Sequence, residues 1–298
     1  MNTKAKQLIT EKADRFFGSL RISDVWLRVL DLERVAAFYR DIIGLRETRR
    51  EQQVVRLSAS GSEPAQVVLV GDPGARPRSA TAPGLFHTAF LLSSRKELAL
   101  ILRHIGESGW RFQGFADHGV SEAIYLADPE GNGLELYRDR RPEDWPVRSS
   151  GIAMVTEPLD VHGLLEEVKD VSVTFDGIEE TTMIGHVHLQ TSNLENAHEF
   201  YHGLLGLDVT QRDYPGALFL SANGYHHHIG LNVWNSRGAP PSSPNSAGLI
   251  SFGMVADPSR IDAMLERARD KEVGVHKTGA GKVRFLDPSE LSLDVSVS

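Results

Sequence analysis

The chain contains no cysteine. This excludes disulfide staples, zinc–thiolate sites and cysteine nucleophiles, and it fits a reducing compartment. A basic excess is also missing: 32 Lys and Arg stand against 40 Asp and Glu, a formal net charge of -8. Nucleic acid and anionic membrane surfaces both favour a basic face, so neither is an expected partner. No stretch approaches the ~20 apolar residues of a membrane span. The first residues are charged (Lys4, Lys6, Glu11, Lys12, Asp14, Arg15) and lack the apolar core of a signal peptide. No Gly-x-Ser-x-Gly elbow is present, which leaves a nucleophilic hydrolase without support. A soluble cytoplasmic protein is expected.

What is there is ordinary globular material, 41% hydrophobic and 24% charged over 298 residues, enough for about two domains. Residues 3–17 read as a short surface helix. Ile22–Leu30 alternates as a strand. Asp31 is placed to cap a helix carrying Leu32, Val35, Phe38 and Tyr39 at helical spacing, which Gly44 ends. Short strands follow near Glu47, Val54–Ala59 and Gln66–Gly71. After a Pro- and Gly-rich loop, a second unit opens at Gly84–Leu92. It continues with an amphipathic helix Arg95–Gly106, a strand Val120–Leu126 and a turn at Asp128-Pro129, and it closes on a strand carrying Glu135.

The pattern then returns. Val25…Leu32-Glu33…Phe38-Tyr39…Gly44-Leu45 is matched at a constant offset by Val187…Leu194-Glu195…Phe200-Tyr201…Gly206-Leu207. The turn at Asp128-Pro129 is answered by Asp287-Pro288. Register kept over a whole strand–helix unit argues duplication, giving four βα-type modules in two pairs. The expected division is a leader 1–20, a two-module domain 21–141, a connecting segment 142–180 and a second two-module domain 181–298.

These repeats, together with Gly84-Leu85-Phe86-His87, Asp117–Leu126, Asp128–Tyr137, Ile184–Leu189 and Tyr225–Trp234, resemble the vicinal oxygen chelate superfamily (glyoxalase, bleomycin resistance, dioxygenase). Within it they are most similar to two-domain extradiol dioxygenases of the catechol 2,3-dioxygenase type. The resemblance covers roughly residues 20–298. It implies an α+β fold of four βαβββ modules that pair into cup-shaped half-barrels, one cup holding a divalent metal. The family's metal positions fall on first and last strands of paired modules. Sequential pairing would gather His87, Glu135 and Asp24 in one cup, and His186, His228 and Asp294 opposite Ser251 in the other. Pairing module two with module three instead gathers His87, Glu135, His186 and His228, and leaves Asp24, Val68, Ser251 and Asp294 as a poor site.

The expected ligands are therefore His87, His186 and Glu135. Two neutral imidazoles and one carboxylate suit non-haem Fe(II), with Mn(II) compatible with the same set. In the His226-His227-His228 run, strand alternation puts His226 and His228 on one face and His227 on the other. His228 is the expected acid–base residue, with His226 second. His118 and Tyr125 match positions that contact substrate oxygens in the family. Core packing for Tyr125 and a surface role for His118 stay open, as do second-shell, pocket-wall and core roles for His188. The implied partners are an aromatic diol and O2, and a homo-oligomer is expected. A glyoxalase-type isomerase and a non-enzymatic aromatic-ligand binder are the alternatives.

Overall fold

The computed structural model describes residues 15–149, 151–172, 175–279 and 281–298. The first module runs β1 (Leu20–Val29), a helix Leu32–Ala37 that widens into a π turn Phe38–Ile42, then β2 (Arg46–Glu51), β3 (Val54–Ser58) and β4 (Val67–Gly71). The second comprises β5 (Gly84–Leu91), a helix Arg95–Ser108, β6 (Phe112–Asp117), β7 (Ser121–Ala127) and β8 (Gly133–Asp139). Two short strands, β9 (Val147–Arg148) and β10 (Gly151–Ile152), and a helix Val161–Glu166 lead to the third. That module has β11 (Met183–Gln190), a helix Leu194–Tyr201, β12 (Asp208–Gln211), β13 (Ala217–Ser221) and β14 (Ile229–Asn232). The fourth has β15 (Gly248–Ala256), a helix Pro258–Asp270, β16 (His276–Thr278), β17 (Lys282–Leu286) and β18 (Ser292–Val297).

Local chemistry sets the helix starts. Asp31 accepts from the Arg34 amide, Ser94 from Glu97, and Asn193 from Glu195 and Asn196, each satisfying amides that lack partners within the helix. The fold is mixed α+β, with two eight-stranded sheets. One runs β16-β17-β18-β15-β1-β4-β3-β2 and the other β12-β13-β14-β11-β5-β8-β7-β6. Each sheet thus joins strands from both halves of the chain. β5 pairs antiparallel with β11, and β1 with β15. Modules two and three build one sheet and modules one and four the other, so neither 21–141 nor 181–298 closes a cup by itself.

Two expectations change. Most of the 3–17 segment lies outside the described residues, but its end is not surface. Phe16 and Phe17 are buried, packed on Tyr225, with Trp145 and His228 alongside. Residues 112–117 form a strand that their Gly- and Gln-containing sequence did not signal.

The repeated motifs meet in space. Asp287 accepts from the Ser289 and Leu291 amides on one oxygen and from the Tyr201 hydroxyl on the other. Asp128 likewise accepts from the Glu130 and Asn132 amides. Each aspartate also closes its turn by its own amide, to the carbonyl of Leu291 or Asn132. Burial pushes Asp287 up to about 6. A carboxyl whose folded pKa lies above its unfolded value holds its proton more readily in the native state. Stability then falls as pH rises from about 4 to 6 and stays reduced above. Asp287→Asn should flatten this segment of the stability profile. The profile is read from urea melts across pH. An unchanged slope between pH 4 and 6 would refute the assignment.

Candidate metal centre and its cavity

Strands β8, β5 and β11 lie side by side, and their register sets Glu135, Ala89 and His186 in one row. His87 stands two residues before Ala89, hence on the same face. Ala89 contributes only a methyl, so the space above the row stays open to the three larger side chains. Two glycines make the close approach feasible. A Cβ on Gly185 would lie 1.8 Å from the Tyr137 hydroxyl, and one on Gly230 would lie 2.9 Å from the His188 ring. The chain also slips register between Ile184 and His186, turning His186 inward beside the glycine.

The three side chains converge. Glu135 Oε2 is 3.0 Å from His87 Nε2 and 3.2 Å from His186 Nε2. One donor atom from each residue lies within 4.8 Å of the others, the one such His/Asp/Glu group among the described residues. All three are buried. His87 Nε2 approaches the carboxylate without hydrogen-bond geometry and has no other partner. Such a nitrogen, held close to an oxygen yet not aimed at it, fits a lone pair directed at a shared cation. Burial pushes His186 down to about 4, against the pull of Glu135, so its imidazole is neutral at pH 7. Burial by itself would raise Glu135, but His186 and His87 beside it hold its carboxyl well below the usual range. Two imidazole nitrogens and a carboxylate are a fitting donor set for a divalent ion.

The other sheet offers no equivalent. Asp24 accepts from Ser23 and Trp26, and Asp294 forms a two-pronged pair with Arg284. Their charges are met by protein groups.

A cavity of about 570 Å³ opens above the three residues. His118 and Tyr125 line it, so the surface reading of His118 and the core reading of Tyr125 both give way. His118 Nδ1 is 2.6 Å from the Val155 carbonyl, and its Nε2 is 2.7 Å from the Tyr125 hydroxyl. A carbonyl can only accept, so Nδ1 donates to Val155, and the Tyr125 hydroxyl lies between Nε2 and Glu135. His188 is a wall residue. Its ring sits 4.9 Å from that of His87 and 5.5 Å from that of Trp234, and burial first, then neighbouring histidines, keep it well below the usual imidazole range. Trp234 is 44% exposed and rests edge-on against Phe86 at the rim.

The histidine run departs from its expected arrangement. Residues 225–228 precede β14, whose ladder begins at Ile229, so strand parity does not assign their faces. His227, expected to point away, faces the cavity, with its ring 4.0 Å from that of His186. Burial and the surrounding histidines hold it well below the ordinary range, hence neutral. His228, the expected acid–base residue, is fully buried outside the cavity lining. Its Nδ1 accepts from the Ala222 amide, its ring packs edge-on against Phe17, and burial pushes it down to about 3. His226 is turned to Asp139 in the interior. Phe86, from the motif that ends at His87, and Tyr214, which no motif marks, complete the aromatic wall with Phe219 and Trp234. The aromatic enrichment near Phe219 was the only signal of Tyr214.

A catechol-2,3-dioxygenase of Bacillus subtilis (strain 168) is 39% identical over 269 residues, covering 88% of this chain and 92% of that protein. Biphenyl-2,3-diol 1,2-dioxygenase 3 of Rhodococcus globerulus is 27% identical over 121 residues, 40% of this chain and 63% of its own length. Glyoxalase I from Zea mays superposes with a TM-score of 0.57 at 17% identity, over 93% of this chain and 92% of that structure, which shows a shared fold. Residues 21–136 and 183–295 both match a single family description, and the chain therefore belongs to the Glyoxalase/Bleomycin resistance protein/Dioxygenase superfamily.

Proposed function

We propose that the protein is an extradiol dioxygenase, cleaving the ring of a catechol-type diol with O2 at a divalent metal held by His87, His186 and Glu135. The observation that carries this is the convergence of those three donors beneath a partly aromatic cavity that also presents His227, His118 and Tyr125. The relative of matching length named for catechol cleavage supports it. Fe(II) is the proposed metal, and Mn(II) suits the same donors.

The metal, when bound, supplies the redox chemistry that joins diol and O2. The chain's own groups handle protons and orientation. With a 2+ ion and one carboxylate the centre carries a net charge of +1, which favours a diol that has lost a proton. His227, facing the cavity beside His186, is placed to take that proton and to return it as the ring opens. The Tyr125 hydroxyl, held between His118 Nε2 and Glu135, lines the cavity where a diol oxygen can bond to it. Because His118 is itself tied to Val155, this pair is pre-set rather than recruited. Phe86 and Trp234 provide faces and edges for the substrate ring. Both oxygen atoms of O2 enter the product, a ring-opened hydroxy-muconic aldehyde or ketone, so no external reductant is needed.

Anaerobic loading with Fe(II), followed by a panel of catechols and air, should give a yellow ring-fission product. No product from a dozen catechols, with iron bound, would sink the reading. His186→Ala and Glu135→Ala should lose most of their iron when metal content is measured after desalting. His227→Gln should keep its iron and lose roughly 10²–10⁴-fold in kcat, while His228→Gln should stay within about threefold. The reverse ranking would return the proton-handling role to His228.

A further inference from the structure

Behind His227 stands a file of buried polar groups that metal binding does not use. Asp139 ends β8, four residues beyond Glu135 and therefore on the same face of the strand. Its Oδ1 is 2.9 Å from His226 Nε2, and both side chains are fully buried. Nδ1 of His226 is in turn 2.8 Å from Nδ1 of His227. A second donor reaches the same carboxylate oxygen: the Tyr225 hydroxyl, 3.1 Å away, itself 2.7 Å from the Tyr137 hydroxyl.

We propose that Asp139 and His226 are positioning residues that fix the tautomer of His227, so that its Nε2 presents a lone pair to the cavity. The logic is a chain of donors and acceptors. An ionised carboxylate can only accept, so His226 carries its proton on Nε2. With a single proton on His226, its Nδ1 has only a lone pair. The contact between the two Nδ1 atoms holds one proton, which must belong to His227. With Nδ1 protonated, Nε2 of His227 is the unprotonated nitrogen, and the ring faces the cavity. An imidazole with the opposite tautomer would offer a filled N–H where an acceptor is required. Tyr137 and Tyr225 hold Asp139 from the other side, and the missing side chain at Gly185 leaves room for Tyr137.

This rests on the proton-accepting role proposed for His227, but its test reads the tautomer directly and needs no turnover. The full chain, labelled with 15N-histidine and loaded with diamagnetic Zn(II), is examined by two-bond 1H–15N correlation at one fixed pH. His227→Gln identifies the His227 signals. The wild-type protein should show His227 protonated on Nδ1 and bare on Nε2. In Asp139→Asn, whose amide can also donate to His226, that preference should be lost. The iron-loaded variant should then fall roughly 10–100-fold in kcat for catechol, with KM changed by no more than about threefold. Tyr225→Phe removes the hydroxyl that also bonds Asp139 while keeping the ring that packs on His226, and should leave His227 protonated on Nδ1. A wild-type His227 protonated on Nε2 overturns the proposal, and that spectrum decides even if Asp139→Asn does not fold. Equal losses in Asp139→Asn and Tyr225→Phe also overturn it, because a shared loss of packing would then account for both. A wild-type His227 protonated on Nδ1, in a protein that cleaves no diol, would uphold the positioning while removing the activity assigned above.

Discussion

The antiparallel seam between β5 and β11 joins residues from opposite halves of the chain, and each donor of the metal centre takes its place from that register. Glu135 enters through β8, which is paired in turn to β5, so three strands must agree before the three donors face one another. Side chains alternate with period two, and a one-residue slip at the seam would turn His186 and His188 into the apolar core. Val187 and Leu189 hold the opposite face of β11 and would be driven out by the same slip. The apolar pattern thus fixes the polar one, and the centre inherits its precision from core packing.

Collecting so many imidazoles in a dry interior has a cost, which the sheet distributes. His118 and His226 have each found an acceptor outside the metal triad, Val155 and Asp139. His188 and His227 stay neutral because charging them there would be expensive. The outer sheet shows the other solution. Its acidic residues Asp294 and Asp24 are engaged by Arg284, Ser23 and Trp26, and they form no donor cluster among the described residues.

The fold was legible in the sequence because duplication leaves a signal longer than any single element. The Phe-Tyr and Asp-Pro motifs marked corresponding places in alternate modules, and the structure reveals why they travel together: Tyr201 bonds the aspartate of the neighbouring module's turn. His87, Glu135 and His186 stood out because the family resemblance places metal ligands on the first and last strands of paired modules, and all three lie within strands. The His226–His228 run did not yield to strand parity. Parity holds only within a ladder, and these residues form the approach to one. The burial of Phe16 and Phe17 was hidden for a different reason. Two aromatics at the end of a charged segment look like one face of a solvated helix until the partner surface, Tyr225 and Trp145, is known. Asp139 was readable in principle, since Glu135, Tyr137 and Asp139 share a strand face, but nothing in the sequence said that His226 would come to it.

The order of strand pairing has a consequence for how such a chain comes together. Pairings nest like brackets: the inner one joins Leu91 to Met183, and the outer one joins Leu20 to Ala256. Loop-closure entropy favours the inner bracket first. The sheet bearing the three donors can therefore close while β1 still waits for a partner at the far end of the chain. During synthesis from the N-terminus, the first module is the earliest made and the last to be paired. Its open strand β1 is thus the edge that stays exposed longest, and the finished protein hides it at the centre of a sheet, between β15 and β4.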